Sequence, residues 1–437
     1  MSAPAPAHDL RTPPPEQSRR ALFAGSVGNF IEWYEFGVYG YFATVIAARF
    51  FTPEGGSEAE ALVKTYASFA LAFFFRPVGA AVFGRLGDRI GRRPVLILVI
   101  ALMTGATTLI GVLPTYDTVG ALATWLLTLL RVVQGLSAGG EFGGAVSVMT
   151  EFAPPGRRGL YGSWQSFTVA LGLLAGAGAA ALLATLLTEA QLGDWGWRLP
   201  FLLTLPLGLG ALWLRLRLEE TPDFERATTT ATDTATESPP AREVARAVAV
   251  GAGRIMGWAA AGYTFLVVLP SYLQSTLHAS FQQALLATVL ANLGFAATIV
   301  PAGWFSDRVG RRPVMLAGAV LVVFLAVPLL NLLQDAGTSN AVKGAAVFGA
   351  GAVVGLMAGP GPAMLAELFP TSARCTGLGL AYSLSNAVFS GCAGLIITET
   401  VKRTGNMDIP AYYAATVCAV SVLALAASPK GVTGKAG

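Results

Sequence analysis

Three polar side chains, Asn29, Glu32 and Glu35, interrupt an otherwise apolar run between about residues 21 and 50 of this chain. Successive members of this set are three residues apart, so an α-helix places them along one side. Ionisable groups at the depth of a bilayer are costly and mark pathways for ions or substrates. A hydrogen-bonded cluster that only fixes helix packing is the alternative, but two neighbouring carboxylates repel each other. We therefore predict a functional site here.

Two arginines are candidate counter-charges for these carboxylates. A rise of about 1.5 Å per residue places Glu32 and Arg131 near the centre of a membrane about 30 Å thick, and Arg76 about 12 Å from the end of its helix. Burial favours a protonated carboxyl group, whereas a nearby cation favours the ionised form, so such a group can exchange protons. An arginine also holds a substrate carboxylate by two hydrogen bonds. Its alternative role is an internal salt bridge to Glu141 or to the first helix.

The composition indicates a protein with many membrane spans. Hydrophobic residues make up 54% of the 437 residues and charged residues only 12%, and the mean hydropathy is +0.60. A soluble domain carries about 25% charged residues. At about 20 apolar residues per span, we predict an all-α membrane protein of twelve helices. Their approximate limits are 21–50, 61–84, 94–115, 120–152, 159–187, 197–218, 244–275, 282–305, 313–333, 341–368, 374–400 and 409–427.

The distribution of loop charges predicts the topology. Arginines are concentrated in alternate loops, as the positive-inside rule requires of cytoplasmic loops. The polar, threonine-rich connection 219–243 then lies in the cytoplasm between two six-helix halves, 21–218 and 244–427. The disordered N-terminus 1–20 and the tail 428–437 lie on the same side. We expect a multi-pass protein of the plasma membrane, which is the inner membrane in a bacterium. A twin-arginine export signal at Arg19 and Arg20 is the alternative to a positive-inside anchor.

A repeated loop indicates an internal duplication. The sequence FGRLGDRIGRRP at residues 83–94 recurs as AGWFSDRVGRRP at residues 302–313, an offset of 219 residues. A second repeat, at an offset of 216 residues, pairs Glu151, Pro154 and Arg158 with Glu367, Pro370 and Arg374. Transporters built from two such halves bind their substrate between them.

The doubled G-x-x-x-D-R-x-G-R-R-P loop resembles the signature loop of the major facilitator superfamily. In that family the loop latches the cytoplasmic side when the transporter opens outward. The resemblance implies a gating role for Gly84, Asp88, Arg92, Arg93, Asp307, Arg311 and Arg312, and we assign the same role to Glu151, Arg158, Glu367 and Arg374 of the second repeat. The alternative is that the arginines only set the topology.

Further motifs resemble the metabolite:proton symporters, which include proline/betaine transporters, α-ketoglutarate permeases and citrate symporters. These are GNFIEWY at 28–34, FRP at 75–77, QGLSAGGE at 134–141, DWGWRLPF at 194–201 and LEETP at 218–222. The family pattern has Asp at the position of Glu35. Residues 115–120, 269–273 and 410–413 resemble proline/betaine transporters, whereas residues 163–166 and 380–389 resemble citrate and α-ketoglutarate carriers.

We assign proton coupling to Glu32 and Glu35, and we place the substrate between the two halves. In the second half the ionisable groups lie towards helix ends, so its candidate ligands are neutral. The predicted substrate-binding residues are Asn29, Arg76, Arg131, Gln134, Trp164, Tyr263, Tyr382 and Asn386. Aromatic rings hold a quaternary ammonium group by cation–π contact, although each aromatic residue can instead pack or lie at a membrane interface.

The leading hypothesis is a proton-coupled symporter that imports a small carboxylate-bearing metabolite by alternating access. The substrate is either an organic acid or a zwitterion such as proline or betaine. An exporter or exchanger is the alternative in the same class, because the motifs do not give a direction. A membrane-embedded enzyme or sensor would need a catalytic cluster or a folded loop domain, and we identify neither.

Cofactors and macromolecular partners are not expected. The only histidines are His8 and His278, and the three cysteines have no metal-binding spacing, so we predict no metal or haem. The sequence contains no P-loop, and topology accounts for its arginines without a nucleic-acid partner. We expect a monomer whose partners are the lipid bilayer, the metabolite and a proton.

Overall fold

The computed structural model of the chain describes residues 15–52, 57–90, 92–151, 153–216, 241–369 and 374–427. Within these ranges the regular structure is helical and there is no strand. Ten of the described helices are long and apolar enough to cross a membrane, and Ile97–Val112 is a shorter apolar helix. Together with the helix that carries Glu32, these make twelve spans in the described ranges, in agreement with the predicted all-α fold.

The first half contains six spans. They are α1 (Pro15–Tyr41, continued by Ala43–Ile46 and the π-helical Ala47–Phe51), α2 (Glu58–Ile90), α3 (Arg92–Val112), α4 (Ala121–Ala138 and Phe142–Glu151), α5 (Arg158–Leu186) and α6 (Arg198–Leu216). Short helices precede α4 and α6, at Tyr116–Val119 and at Glu189–Gln191 with Leu192–Gly196.

The second half repeats this order. Its spans are α7 (Ala241–Tyr263, Thr264–Val268 and Leu269–Ser275), α8 (Phe281–Val309), α9 (Arg311–Gln334), α10 (Asn340–Ala358 and Gly361–Ala366), α11 (Arg374–Ser385, Asn386–Gly391 and Ala393–Thr404) and α12 (Ile409–Ala426). In α1, α7 and α11 one stretch is π-helical. Such stretches are frequent at functional sites.

The duplication is also visible in the packing. Helix α4 crosses α2 where Gly135 faces the backbone carbonyl of Ala72, and α10 crosses α8 where Gly351 faces the carbonyl of Ala291. These residues are related by the two offsets found in the sequence, 216 for the glycines and 219 for the alanines. A side chain at either glycine would overlap the facing carbonyl, so the absence of one permits the close approach.

The prediction of one continuous helix over 120–152 is wrong. The structure divides it at residues 139–141, and α10 is divided in the same way at residues 359–360. At Gly139 an added Cβ would overlap the carbonyl of Arg76 on α2. The glycine pair Gly139–Gly140 therefore lies both at the close crossing with α2 and in the turn that divides α4. A hydropathy pattern does not reveal such a turn.

The ends of the predicted halves fall partly outside the described residues. Helix α1 begins at Pro15, six residues before the predicted limit, and α7 begins at Ala241, three residues before its limit. Residues 1–14, 217–240 and 428–437 are outside the described ranges. These contain most of the predicted N-terminal segment and linker and the whole predicted tail.

The two halves pack against each other around a shared core. Helix α5 lies against α8, and α2 lies against α11. We call the end of the bundle that carries residues 83–94 and 302–313 the repeat end, and the other end the opposite end. The polar face of α1 lies between these two ends.

Candidate functional site

Glu32 of α1 forms a buried ion pair with Arg76 of α2. The distance from Glu32 Oε1 to Arg76 Nη2 is 3.0 Å, and the side chains are only 6% and 2% exposed. The guanidinium carbon lies 4.4 Å from the ring centre of Phe36 and 4.3 Å from that of Phe73. Arg76 Nε has no hydrogen-bond partner among the described residues. The Glu32 carboxylate and the two ring faces therefore hold Arg76 in place. Its Nε donor remains available to a ligand.

Glu35 is connected to Arg131 through two neutral side chains. Arg131 Nη1 donates to Gln134 Oε1 at 2.6 Å, and Gln134 Nε2 donates to the hydroxyl of Thr107 at 2.5 Å. The Thr107 hydroxyl in turn donates to Glu35 Oε2 at 2.8 Å. Arg131 Nε and Nη2, and Glu35 Oε1, have no partner within the described ranges. The two acids on α1 thus have different environments, because only Glu32 is paired directly with a cation.

One aromatic ring joins the two arginines. The centre of the Phe36 ring is 4.4 Å from the guanidinium carbon of Arg76 and 5.0 Å from that of Arg131. Arg131 also lies 4.0 Å from the ring centre of Tyr39. Cation–π contacts of this kind gain strength where water is excluded. The aromatic residues of α1 therefore hold two like charges side by side within the membrane.

A cavity of about 30 Å³ lies between the two halves. Trp33 of the first half and Trp258, Tyr263 and Tyr382 of the second line it, with Asn386 and Ser390 as polar neighbours. A cavity of this size has room for about one water molecule. Ligand pockets have volumes of about 300–1,000 Å³, so a metabolite needs the halves to move apart.

The cavity contains three of the predicted substrate-binding residues. The Tyr263 hydroxyl has no partner among the described side chains, and the Tyr263 ring lies 5.3 Å from that of Phe73. Asn386 donates to the carbonyl of Tyr382 at 2.9 Å and accepts a hydrogen bond from Ser390 at 2.8 Å. The second half thus contributes rings and neutral polar groups to the lining of the cavity.

Two other predicted residues join α1 to α5 instead of lining the cavity. Asn29 donates to the carbonyl of Gln165 at 3.0 Å and to the hydroxyl of Thr168 at 2.7 Å. Trp164 donates to Ser26 at 3.0 Å and is 40% exposed. For Asn29 and Trp164, the structure shows packing contacts between helices.

The sequence analysis missed several residues of the site. Thr107 links Glu35 to Gln134, and Phe36 contacts both arginines. Trp258 and Ser390 line the cavity. A signal existed for Phe36, which follows Glu32 by one helical turn and so lies on the same face.

The repeat end is closed by a contact between the halves. The Asp307 carboxylate accepts hydrogen bonds from the backbone N–H groups of Gly159 at 2.8 Å and Leu160 at 2.9 Å, in the first turn of α5. The positive end of a helix dipole favours such an anion. Arg311 pairs with Asp307 at 2.6 Å and with Glu367 at 3.3 Å. Three predicted gating residues thus form one network.

For the other predicted gating residues, the structure describes only part of the contacts. Arg312 donates to the carbonyl of Ala426, and Arg158 is exposed at the start of α5. For Gly84, Asp88, Arg92, Arg93, Glu151 and Arg374 the structure describes the backbone alone. Their gating role stays a prediction.

The opposite end is closed as well. The hydroxyls of Tyr66 on α2 and Ser271 on α7 are 2.7 Å apart, and Lys402 pairs with Glu60 at 3.3 Å. Both contacts join the first half to the second. Together with the contact of Asp307, they make this an occluded arrangement.

Comparison with known proteins gives matches along the whole bundle. Residues 21–241 match the family model described as sugar (and other) transporter, and residues 250–435 match that of the major facilitator superfamily. The proline/betaine transporter of Escherichia coli K12 is 35% identical over 417 residues, which cover 93% of this chain and 82% of the relative. The ectoine/proline transporter ProP of Corynebacterium glutamicum is 36% identical over 434 residues, which cover 95% and 85%.

Solved structures share the fold. The xylose transporter XylE of E. coli, in a partially occluded inward-open conformation, matches with a TM-score of 0.72 at 18% identity, over 93% of this chain and 97% of the other. The proton:xylose symporter XylE bound to 6-bromo-6-deoxy-D-glucose matches with a TM-score of 0.73 at 18% identity, over 94% and 95%. At this identity the likeness concerns architecture alone.

Proposed function

Because this chain belongs to the major facilitator superfamily, we propose that it is a proton-coupled symporter that imports a small zwitterionic metabolite by alternating access. The observation that carries the proposal is the buried Glu32–Arg76 ion pair beside a small cavity between the halves. A buried ion pair contributes little to stability, so its place next to the cavity between the halves favours a role in transport. The relatives are named as transporters of proline, betaine and ectoine, which supports this substrate class.

A zwitterion suits the charge distribution better than an organic acid with several carboxylates. None of the side chains described around the cavity carries a full charge. Arg76 lies just behind this lining, with its guanidinium carbon 5.6 Å from the Trp33 ring. One carboxylate can therefore reach Arg76, while an ammonium group remains against the rings of Trp33, Trp258, Tyr263 and Tyr382. A dicarboxylate would leave its second charge among apolar groups.

Coupling follows from competition for Arg76. The substrate carboxylate and the Glu32 carboxylate are alternative partners of the same guanidinium, which has an unused Nε donor. When the substrate takes the arginine, the displaced Glu32 would be an unpaired buried anion, and protonation removes that charge. Substrate and proton therefore bind together, and no buried carboxylate is left without a partner when the halves move.

The two closed ends supply the alternating gates. In the proposed cycle the contact of Asp307 with α5 opens towards the cytoplasm, and the Tyr66–Ser271 contact opens to the outside. The repeat end then faces the cytoplasm, together with both termini, and the protein works as a monomer in the plasma membrane. Arg131 holds its chain to Glu35 throughout the cycle and positions α1 against α3 and α4.

The test is uptake by the purified protein in liposomes with an inward proton gradient. Labelled proline, glycine betaine, citrate and α-ketoglutarate are compared, with protein-free liposomes as the control. We expect accumulation of proline or betaine that a protonophore abolishes, and none of the di- and tricarboxylates. Accumulation of citrate or α-ketoglutarate alone would contradict the zwitterion assignment, and no accumulation of any compound would contradict symport.

A further inference from the structure

A second buried ion pair lies outside the site described above. Glu141, at the break in α4, pairs with Arg215 near the end of α6, and each side chain is 6% exposed. Taking two charges out of water costs several kcal/mol per ion, which their attraction repays only in part. A pair that joins α4 to α6 could be replaced by apolar packing at little loss. The cost of burying these two charges therefore points to a role for the charges themselves.

The pair lies directly against α1. A Cβ at Gly28 would overlap both Arg215 Nη2 and Glu141 Oε1. Gly28 precedes Glu32 by four residues, which is about 6 Å along the helix on the same face. The Glu32–Arg76 and Glu141–Arg215 pairs therefore lie one above the other on α1, with the second nearer the cytoplasm.

We propose that Glu141 receives the proton from Glu32 and releases it to the cytoplasm. This inference rests on the proposed proton symport. In the transfer, the carboxyl group of Glu32 loses its proton to the carboxylate of Glu141 and becomes a carboxylate again. Protonated Glu141 then loses the same proton to cytoplasmic water. No other atom or electron is exchanged, and both arginines keep their protons.

The arrangement of charges makes the free energies before and after this transfer nearly equal. Before the transfer, Glu141 is paired with Arg215, and the substrate carboxylate has replaced Glu32 as the partner of Arg76. After the substrate leaves, Glu32 regains Arg76 while Glu141 gives up Arg215, so one carboxylate–arginine pair replaces another. Among the described side chains, the charged groups near Glu141 are Arg215 from α6 and the two acids of α1, Glu32 and Glu35.

The test separates net transport from exchange. Glu141→Gln keeps the length of the side chain and a hydrogen-bond acceptor for Arg215, but it cannot carry a proton. In counterflow, the carrier returns with substrate bound and Glu32 keeps its proton, so no relay is needed. We expect proton-driven accumulation to fall at least about tenfold while counterflow of the same substrate stays within about twofold of the wild type.

Two further variants distinguish the loss of the proton relay from the loss of folding. Glu141→Gln combined with Arg215→Gln removes both charges, which buried pairs tolerate better than the loss of one, and the same pattern is expected. Gly28→Ala displaces the pair and should also reduce accumulation more than counterflow. Gly105→Ala on α3, where an added Cβ meets nothing within 4 Å, is the matched control and should change neither rate.

Each outcome decides the inference. Wild-type accumulation in the double variant, or equal loss of accumulation and counterflow in every variant at the pair, would overturn it in favour of a packing role. If the wild-type protein itself accumulates nothing in response to a proton gradient, the proposed function fails and not the relay alone.

Discussion

At the scale of single side chains, the two acids of α1 have separate partners. Glu32 has a direct cation, Arg76, whereas Glu35 reaches Arg131 only through Thr107 and Gln134. Removing one member of a buried pair leaves an uncompensated charge and costs about 3–5 kcal/mol, but replacing both members is often close to neutral. Stability can therefore report this pairing independently of transport.

We predict that Arg76→Gln lowers the melting temperature of the purified protein in detergent markedly, because it leaves the Glu32 carboxylate without its cation. Glu32→Gln combined with Arg76→Gln should recover most of the loss. Thermal unfolding followed by tryptophan fluorescence measures both. Arg403→Gln, which breaks the exposed Arg403–Glu399 pair, is the control and should have no measurable effect.

The opposite pattern would contradict the pairing. If the double variant is as unstable as the sum of the two single variants, Glu32 and Arg76 do not interact in the folded protein.

At the scale of helices, the crossing of α2 and α4 determines where the arginines lie. Gly135 and Gly139 face the backbone carbonyls of Ala72 and Arg76, so the two helices approach closely there. The approach brings Arg76 of α2 and Arg131 of α4 to one ring, that of Phe36. The position of the charged site thus depends on two glycines, which have no side chain to hold the helices apart.

We predict that Gly139→Ala destabilises the protein by about 1–3 kcal/mol, the usual cost of overpacking, and reduces uptake because it moves the backbone of Arg76. Gly178→Ala on α5 adds a methyl group where nothing lies within 4 Å and should leave both quantities unchanged. Thermal unfolding and liposome uptake check the pair of variants. Equal behaviour of the two would show that the crossing does not position the site.

Sequence analysis predicted the elements better than their breaks. Runs of apolar residues indicate the spans, and the polar spacing on α1 predicts that Glu32 and Glu35 lie on one side of the helix. The break in α4 was not predicted, because Gly139 and Gly140 are as compatible with a continuous membrane helix as with a turn. Gly139 faces the carbonyl of Arg76 on another helix, and a pattern along one helix carries no information about such a contact.

The residues of the cavity illustrate the same limit. Tyr263 and Tyr382 line it, whereas Trp164 faces outward and bonds to Ser26. All three are aromatic residues in apolar spans, so composition does not separate them. Only the rotation of each helix does, and that is set by contacts between helices.

At the scale of the whole molecule, the bundle is closed at both ends. The Asp307 carboxylate joins the second half to the first turn of α5 at the repeat end, and Tyr66 and Ser271 meet at the opposite end. A transporter that alternates must break one of these contacts at a time. Weakening one end should shift the population towards opening at that end.

We predict that Asp307→Asn increases hydrogen–deuterium exchange in the first turn of α5, since the amides of Gly159 and Leu160 lose a charged acceptor and the repeat end opens more often. The control is Asp335→Asn. Asp335 also accepts two hydrogen bonds, from Gly337 at 3.0 Å and Thr338 at 2.6 Å, but within one exposed loop. Unchanged exchange in residues 158–162 of the Asp307 variant would contradict a gate at this contact.

The central claim is that substrate and proton enter together through the Glu32–Arg76 site. The most direct measurement uses a pH-sensitive dye inside liposomes that contain the protein, with potassium and valinomycin present to remove any membrane voltage. External proline or betaine should acidify the lumen of wild-type liposomes, and Glu32→Gln should abolish the acidification while substrate exchange continues. Substrate entry into wild-type liposomes without acidification, or the same acidification with Glu32→Gln, would contradict the claim.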